Sequence, residues 1–153
     1  MKKLSVIIPA RNEAGNLQTC ITELFEILSS YNINHEILII DDGSTDNTST
    51  VIAELNSKVR TICYIKNKSM NGFGRAVRIG LEQFKGDAVA IMMADRSDSP
   101  QDLVKYWNTL KDGNECAFGS RFMKGSKVYE YPRLKLLINR IVNLVISYVF
   151  NVN

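Results

Sequence analysis

Cysteine and histidine are scarce in this 153-residue sequence, and where they fall excludes more than their number does. Cys20, Cys63 and Cys116 are scattered with no CxxC or CxxH spacing. An odd, dispersed set fits neither a disulfide framework nor a zinc site and points to a reducing compartment. The one histidine, His35, stands just before an apolar run and away from every polar cluster, so it is expected to be structural or exposed. Internal repeats, low-complexity tracts and interdomain linkers are absent as well. Met1-Lys2-Lys3 passes at once into Leu4-Ser5-Val6-Ile7-Ile8, which is too short for the core of a secretion signal and reads as a strand.

Charge is also unevenly supplied. From Ser120 onward there is one acidic residue, Glu130, against six basic ones: Arg121, Lys124, Lys127, Arg133, Lys135 and Arg140. The rest of the chain carries thirteen basic and fifteen acidic residues, so the net +3 arises in the last fifth. A basic stretch of this kind suits phosphates, anionic lipid or nucleic acid. Its aromatics lie among apolar residues instead of alternating with the basic ones, so nucleic acid is not an expected partner.

What is present is an alternation of strand-like and helix-like segments. Leu4–Ile8 reads as a strand ended by Pro9, and the apolar series Leu17, Ile21, Leu24, Phe25, Leu28 as a helix. Glu36–Ile40 is continuously apolar after its first residue, as a strand covered on both faces should be. Asp46 is expected to cap a helix through Val51, Ile52 and Leu55; Val59–Ile65 reads as a third strand and Gly74–Phe84 as a helix. Ala88–Met93 is a fourth strand, Ser99-Pro100 with Asp102 opens a further helix, and Glu115–Gly119 is expected as a fifth strand. This order predicts an α/β fold with an open, mostly parallel, Rossmann-like sheet and helices on both faces. In such sheets ligands sit beyond the carboxyl ends of the strands.

Polar clusters fall at those ends: Pro9-Ala10-Arg11-Asn12-Glu13, Asp41-Asp42-Gly43-Ser44-Thr45-Asp46, and Ala94-Asp95-Arg96-Ser97-Asp98. Any one of them could be an ordinary strand-end turn, where Asp, Asn, Ser and Gly are favoured. Three on one edge of one sheet mark a site. Gly72-Phe73-Gly74 follows the third strand and lacks the third glycine of a dinucleotide-binding loop.

These segments, with Gly72-Phe73-Gly74-Arg75-Ala76 and Ser120-Arg121-Phe122, occur in the order and spacing of family 2 glycosyltransferases. The resemblance covers essentially the whole chain, and within the family it is to the polyprenyl-phosphate branch, the dolichyl-phosphate mannosyltransferase-like enzymes. It implies a GT-A nucleotide-sugar-binding domain over residues 1–132. It also implies a transfer of hexose from a nucleotide diphosphate sugar, of GDP-mannose or UDP-glucose type, to a polyprenyl phosphate. A saccharide acceptor in cell-surface polysaccharide synthesis and a non-catalytic nucleotide-binding module are the alternatives. Further segments are expected beyond Asn153 in the whole enzyme. The sugar, the base and the oligomeric state stay open.

The resemblance assigns roles that the chemistry supports. Glu13 and Asp42 would accept hydrogen bonds from the base edge and ribose hydroxyls. Pro9, Ile40 and Ala94 would give apolar or main-chain contact, and Arg11 a planar group along the nucleoside. Asp41 could equally cap its local turn. Asp95 would be the central carboxylate, holding Mg²⁺ or Mn²⁺ with Ser97 against the diphosphate. The family usually has Asp-x-Asp here, and Met93 stands in the first position, with Asp98 a nearby carboxylate. Arg121 would grip phosphate oxygens, which a guanidinium can do in bidentate fashion.

Residues 133–153 form a separate expectation. Asn139, Asn143, Ser147 and Asn151 recur at every fourth position among Leu, Ile and Val. This predicts an amphipathic helix, either lying at a membrane surface or packed on protein, and too often interrupted to span a bilayer. On the first alternative the protein is cytoplasmic and peripheral to the inner face of a membrane.

Overall fold

The computed structural model describes residues 2–119 and 133–150, without the side chains of Arg133 and Leu136. Four parallel strands, β1 (Leu4–Ala10), β2 (His35–Asp41), β3 (Ile62–Lys66) and β4 (Ala88–Ile91), form one sheet in the order β3-β2-β1-β4. The helices between and after them are α1 (Ala14–Ser30), α2 (Thr48–Lys58), α3 (Phe73–Gln83), α4 (Pro100–Lys111) and α5 (Arg133–Phe150). The chain divides into two compact units, Met1–Ala117 and Phe118–Asn153.

Side-chain alternation along the strands sorts the apolar residues to two faces. Leu4, Val6, Ile8, Ile37 and Ile39 meet α1, α2 and α4 through residues such as Leu17, Ile21, Leu24, Ile52 and Trp107. The intervening residues Ile7, Leu38 and Ile40 meet α3 through Ala76, with Ile65, Ile79 and Val89 around them. That second face is thin because the helix comes very close. A Cβ on Gly80 would lie 2.5 Å from Ile7 Cγ2, so only glycine admits this approach. Cys20 is buried in the larger core, and burial pushes its thiol up to about 11, which keeps it protonated. Cys63 and Cys116 are exposed.

At the amino ends of the strands one carboxylate does most of the fastening. Glu36, 6% exposed, accepts hydrogen bonds from Lys3 Nζ, Ser5 Oγ and the Lys85 backbone N–H, each at 2.6 Å. Ser5 Oγ in turn accepts from Gly86 N, so the α3–β4 connection is tied under the central strands. Burial works to raise the Glu36 carboxyl, but the bonds from Lys3, Ser5 and Lys85 hold it below the usual carboxylate range. His35 begins β2, buried, with Nδ1 2.8 Å from Ile33 O and its ring edge-on to Phe25, a structural role as expected.

Several expectations change. Pro9 does not end the first strand; it lies inside β1, opposite Ile40. Met92 N donates to Ile7 O, and the next ladder bond on that side would run from the nitrogen of residue 9. β4 ends at Ile91, so the missing N–H of Pro9 faces a side with no strand to receive it. β3 starts at Ile62, because Val59 serves as the C-cap of α2. Glu115–Gly119, expected as a fifth strand, is irregular and largely exposed. Two glycine- and asparagine-rich positions, Gly113 at φ +97° and Asn114, turn the chain just before it, and no described strand pairs with it. α2 is capped at Asn47; Asp46 still receives the Thr48 N–H at 3.0 Å, one residue before the expected geometry.

In the second unit α5 is an amphipathic helix. At 100° per residue, Leu134, Leu137, Ile141, Leu144, Val145 and Val149 fall within one apolar arc of roughly 140°, and all are exposed. Lys135 and Arg140 fall at opposite margins of that arc. Among the described residues no helix is long and apolar enough to cross a membrane.

Candidate functional site

The loops after β1 and β2 hold each other. Asn12 takes a left-handed conformation, φ +57°, which turns its backbone N–H to Ser44 Oγ at 3.1 Å and its side-chain oxygen to the Thr45 N–H at 2.8 Å. Glu13 N donates to Thr48 Oγ1, and Ala14 N to the Asp46 carboxylate. The hydroxyl of Thr48 foremost, then the Thr48 and Ala14 amides, keep Asp46 below the usual carboxylate range. Arg11 and Glu13 are thus carried on a short loop with little freedom. Glu13 is half-buried and its Oε2 accepts from Asn16 Nδ2; Arg11 is exposed.

Two adjacent carboxylates end β2 and do different things. Asp41 Oδ1 accepts the Ser44 N–H and Oδ2 the Tyr64 hydroxyl, so this side chain closes its own turn. Asp42, 4% exposed, accepts from Asn67 Nδ2 through Oδ1 and from the Gly72 N–H through Oδ2, both at 2.7 Å. Its own N–H donates to Ala10 O. Asp42 therefore joins the tip of β1 to the start of α3. Asn67, buried, repeats the device one strand over: its amide also reaches Met70 O, and its oxygen accepts from Ser69 N and Oγ. Asn67 does not stand out in the sequence, since an asparagine after a strand reads as a turn; Phe73 lies in the Gly72-Phe73-Gly74 motif, which assigns no role to its ring.

Between these fastened segments lies an open cleft of about 230 Å³, lined by Pro9, Ala10, Arg11, Glu13, Asp42, Gly72, Phe73 and Met93. Four of the residues expected to bind a nucleotide sugar, Pro9, Arg11, Glu13 and Asp42, are brought together here. Ile40 and Ala94 are not; their side chains are buried in the two cores, 0% and 2% exposed, which leaves only their main chain for a ligand. Arg121 lies outside the described residues, as do Lys124 and Lys127.

Met93, at the cleft, begins the loop that carries Asp95. Asp98 Oδ2 accepts the Met93 N–H at 2.8 Å, and the Met93 carbonyl is 3.8 Å from Cys20 Sγ. Asp95 Oδ1 accepts the Ser97 N–H at 2.9 Å. Arg96, between them, is left-handed at φ +63°, its guanidinium on Glu23 at 2.8 Å. The donor set suits a hard cation only sparsely. Among the described residues no three His, Cys, Asp or Glu side chains converge, and Asp95 offers one exposed carboxylate with Oδ2 outside the turn. One or two carboxylates completed by phosphate and water are sufficient for Mg²⁺, which keeps several of its waters.

Comparison with known proteins identifies the family. The sequence profile of Glycosyl transferase family 2 matches residues 5–150, and the chain belongs to that family. It is 35% identical to a dolichol-phosphate mannosyltransferase of Pyrococcus furiosus, over 90% of this chain and 38% of that protein. It is 31% identical to the human dolichyl-phosphate beta-glucosyltransferase, over 72% of this chain and 36% of that protein. The chain thus spans a little over a third of the length of these curated relatives. Among solved structures, the mannosyltransferase PcManGT from Pyrobaculum calidifontis, in complex with GDP-Man and Mn²⁺, superposes with a TM-score of 0.63 at 21% identity. That match covers 72% of this chain and 32% of the other. Mannosyl-3-phosphoglycerate synthase from Rubrobacter xylanophilus gives 0.60 at 23% identity, covering 71% and 36%. The fold is of the GT-A type.

Proposed function

We propose that this chain is the donor-binding part of an inverting hexosyltransferase that moves a sugar from a nucleotide diphosphate to a polyprenyl phosphate. The observation that carries the reading is the cleft, where Pro9, Arg11, Glu13 and Asp42 meet at the carboxyl ends of the strands. The donor is of GDP-mannose or UDP-glucose type, mannose and glucose being the sugars in the names of the two curated relatives. Asp42 and Glu13 take the N–H and O–H groups of base and ribose, and Arg11 lies along the nucleoside. Arg121 meets the phosphates. Asp95, with Ser97, would hold Mg²⁺ or Mn²⁺, which supplies charge neutralisation on the departing diphosphate. A phosphate acceptor is already ionised at neutral pH, so the chain needs no strong general base and contributes positioning and electrostatic stabilisation.

We further propose that α5 lies at the membrane–water interface, where a lipid acceptor is found. Its apolar arc is wide, and the basic side chains at both margins can reach headgroups while their stems stay in the apolar layer.

Calorimetric titration of UDP and GDP, with and without Mn²⁺, tests the donor site. One of the two nucleotides should bind, more tightly with metal, and Asp95→Ala should remove the metal-dependent gain without unfolding the protein. Equal affinity with and without Mn²⁺ in the unaltered chain would overturn the metal assignment. A transfer assay on the full-length protein that proceeds without polyprenyl phosphate, on a saccharide alone, would overturn the acceptor.

A further inference from the structure

We infer that Phe73 is the platform on which the nucleobase stacks; this rests on the donor-site reading above. Phe73 is the first residue of α3, 53% exposed, and the only aromatic residue among those that line the cleft. Its ring does not fix the helix to the sheet, since the inward positions of α3 are Ala76 and Gly80. A large apolar ring left half in solvent at the mouth of a polar cleft is the arrangement expected of a ligand contact.

Neighbouring geometry makes the ligand a planar heterocycle. Asp42 holds the Gly72 N–H at 2.7 Å, so the carboxylate and the backbone that leads into Phe73 are set in a fixed relation. Each oxygen of Asp42 has one protein donor, which leaves each a further lone pair for an incoming N–H. A base has N–H groups on its edge and a π-system on its face, and the two wall groups match them: carboxylate to edge, ring to face. Gly72, at φ +153°, adopts a backbone conformation closed to other residues and thereby turns the ring-bearing residue out of the β3–α3 loop. The cleft volume, about 230 Å³, lies below the usual range for a whole small-molecule site and suits the nucleoside end of a larger donor.

The test compares Phe73→Ala, Phe73→Leu and Phe73→Trp with the unaltered chain, titrating whichever of UDP and GDP that chain binds. Base–aromatic stacking predicts a roughly five- to hundred-fold weaker affinity for Phe73→Ala, and a similar loss for Phe73→Leu, which keeps apolar bulk but no π face. Phe73→Trp should bind as well as the unaltered chain and show fluorescence quenching on nucleotide addition. Trp107, buried in α4, supplies a constant background. Unchanged affinity in Phe73→Ala or Phe73→Leu would overturn the stacking role while leaving the donor site intact. Failure of the unaltered chain to bind either nucleotide would overturn both.

Discussion

Asp42 is the residue whose removal should be felt before any ligand is added. Asp42→Ala deletes the acceptor for two donors, the buried Asn67 Nδ2 and the half-buried Gly72 N–H. Hydrogen bonds to a charged group contribute about 1.5–3 kcal/mol each, but Asn67 Nδ2 retains Met70 O at 3.3 Å, so its loss is partial. The net destabilisation should be about 2–4 kcal/mol, a fall in Tm on the order of 10 °C for a domain of this size. Thermal unfolding followed by circular dichroism, without nucleotide, measures it. Asn67→Ala should also destabilise, and the double variant should lose less than the sum of the two, because the partners share one bond. Nucleotide affinity should fall in both, since the wall that carries Phe73 is no longer fixed. Asp42→Ala with the Tm of the unaltered protein would refute the reasoning and reduce Asp42 to a ligand contact alone.

The same packing and hydrogen bonds lead to three further outcomes. The Glu36 carboxyl is held below its ordinary value of 4.5, so its contribution to stability is present above that pH and lost as pH falls through the lower folded value. Acid titration of the unfolding free energy should therefore show a drop below about pH 4.5 that Glu36→Gln flattens, while the variant is less stable at pH 7. Gly80→Ala forces a methyl against Ile7 and should cost about 1–3 kcal/mol by denaturant unfolding; a neutral result would mean that α3 can lift away from the sheet. Binding of the chain to vesicles containing anionic lipid should weaken with salt and disappear on deletion of residues 133–153, each basic residue near the surface contributing about 1 kcal/mol. Vesicle sedimentation in which the intact chain stays in solution at low salt would exclude the interfacial placement of α5.

The parallel sheet was legible because its strands are nearly unbroken apolar runs, and their carboxyl ends announce the site. What the sequence conceals is which polar residue at such an end faces a ligand and which closes a turn. Asp41, Asp42 and Asp46 sit in one cluster, yet Asp41 and Asp46 are engaged in their own loops and Asp42 alone lines the cleft. Ile40 and Ala94, close to site residues in the chain, put their side chains into the two cores instead. Asn67 and Glu36 escaped notice for a common reason: their importance lies in partners distant along the chain. The expected fifth strand failed on the same ground. Glu115–Gly119 has a strand-like composition, but pairing depends on an available neighbour.

Pro9 sets a boundary that no side-chain packing could impose so firmly. An extending ladder between β1 and β4 would need the nitrogen at position 9 to donate to the carbonyl of Met92, and the pyrrolidine ring forbids it. The two strands must part company after Ile7 and Ile91, so the chain that follows β4 is free to leave the sheet plane as the loop from Met93 to Asp98. The point at which the Asp95 loop leaves the sheet, with Met93 at the cleft, is therefore written into covalent structure at a single residue. Any other amino acid there would restore a donor on that side, and with it an invitation for the two segments to zip together and close the mouth of the site.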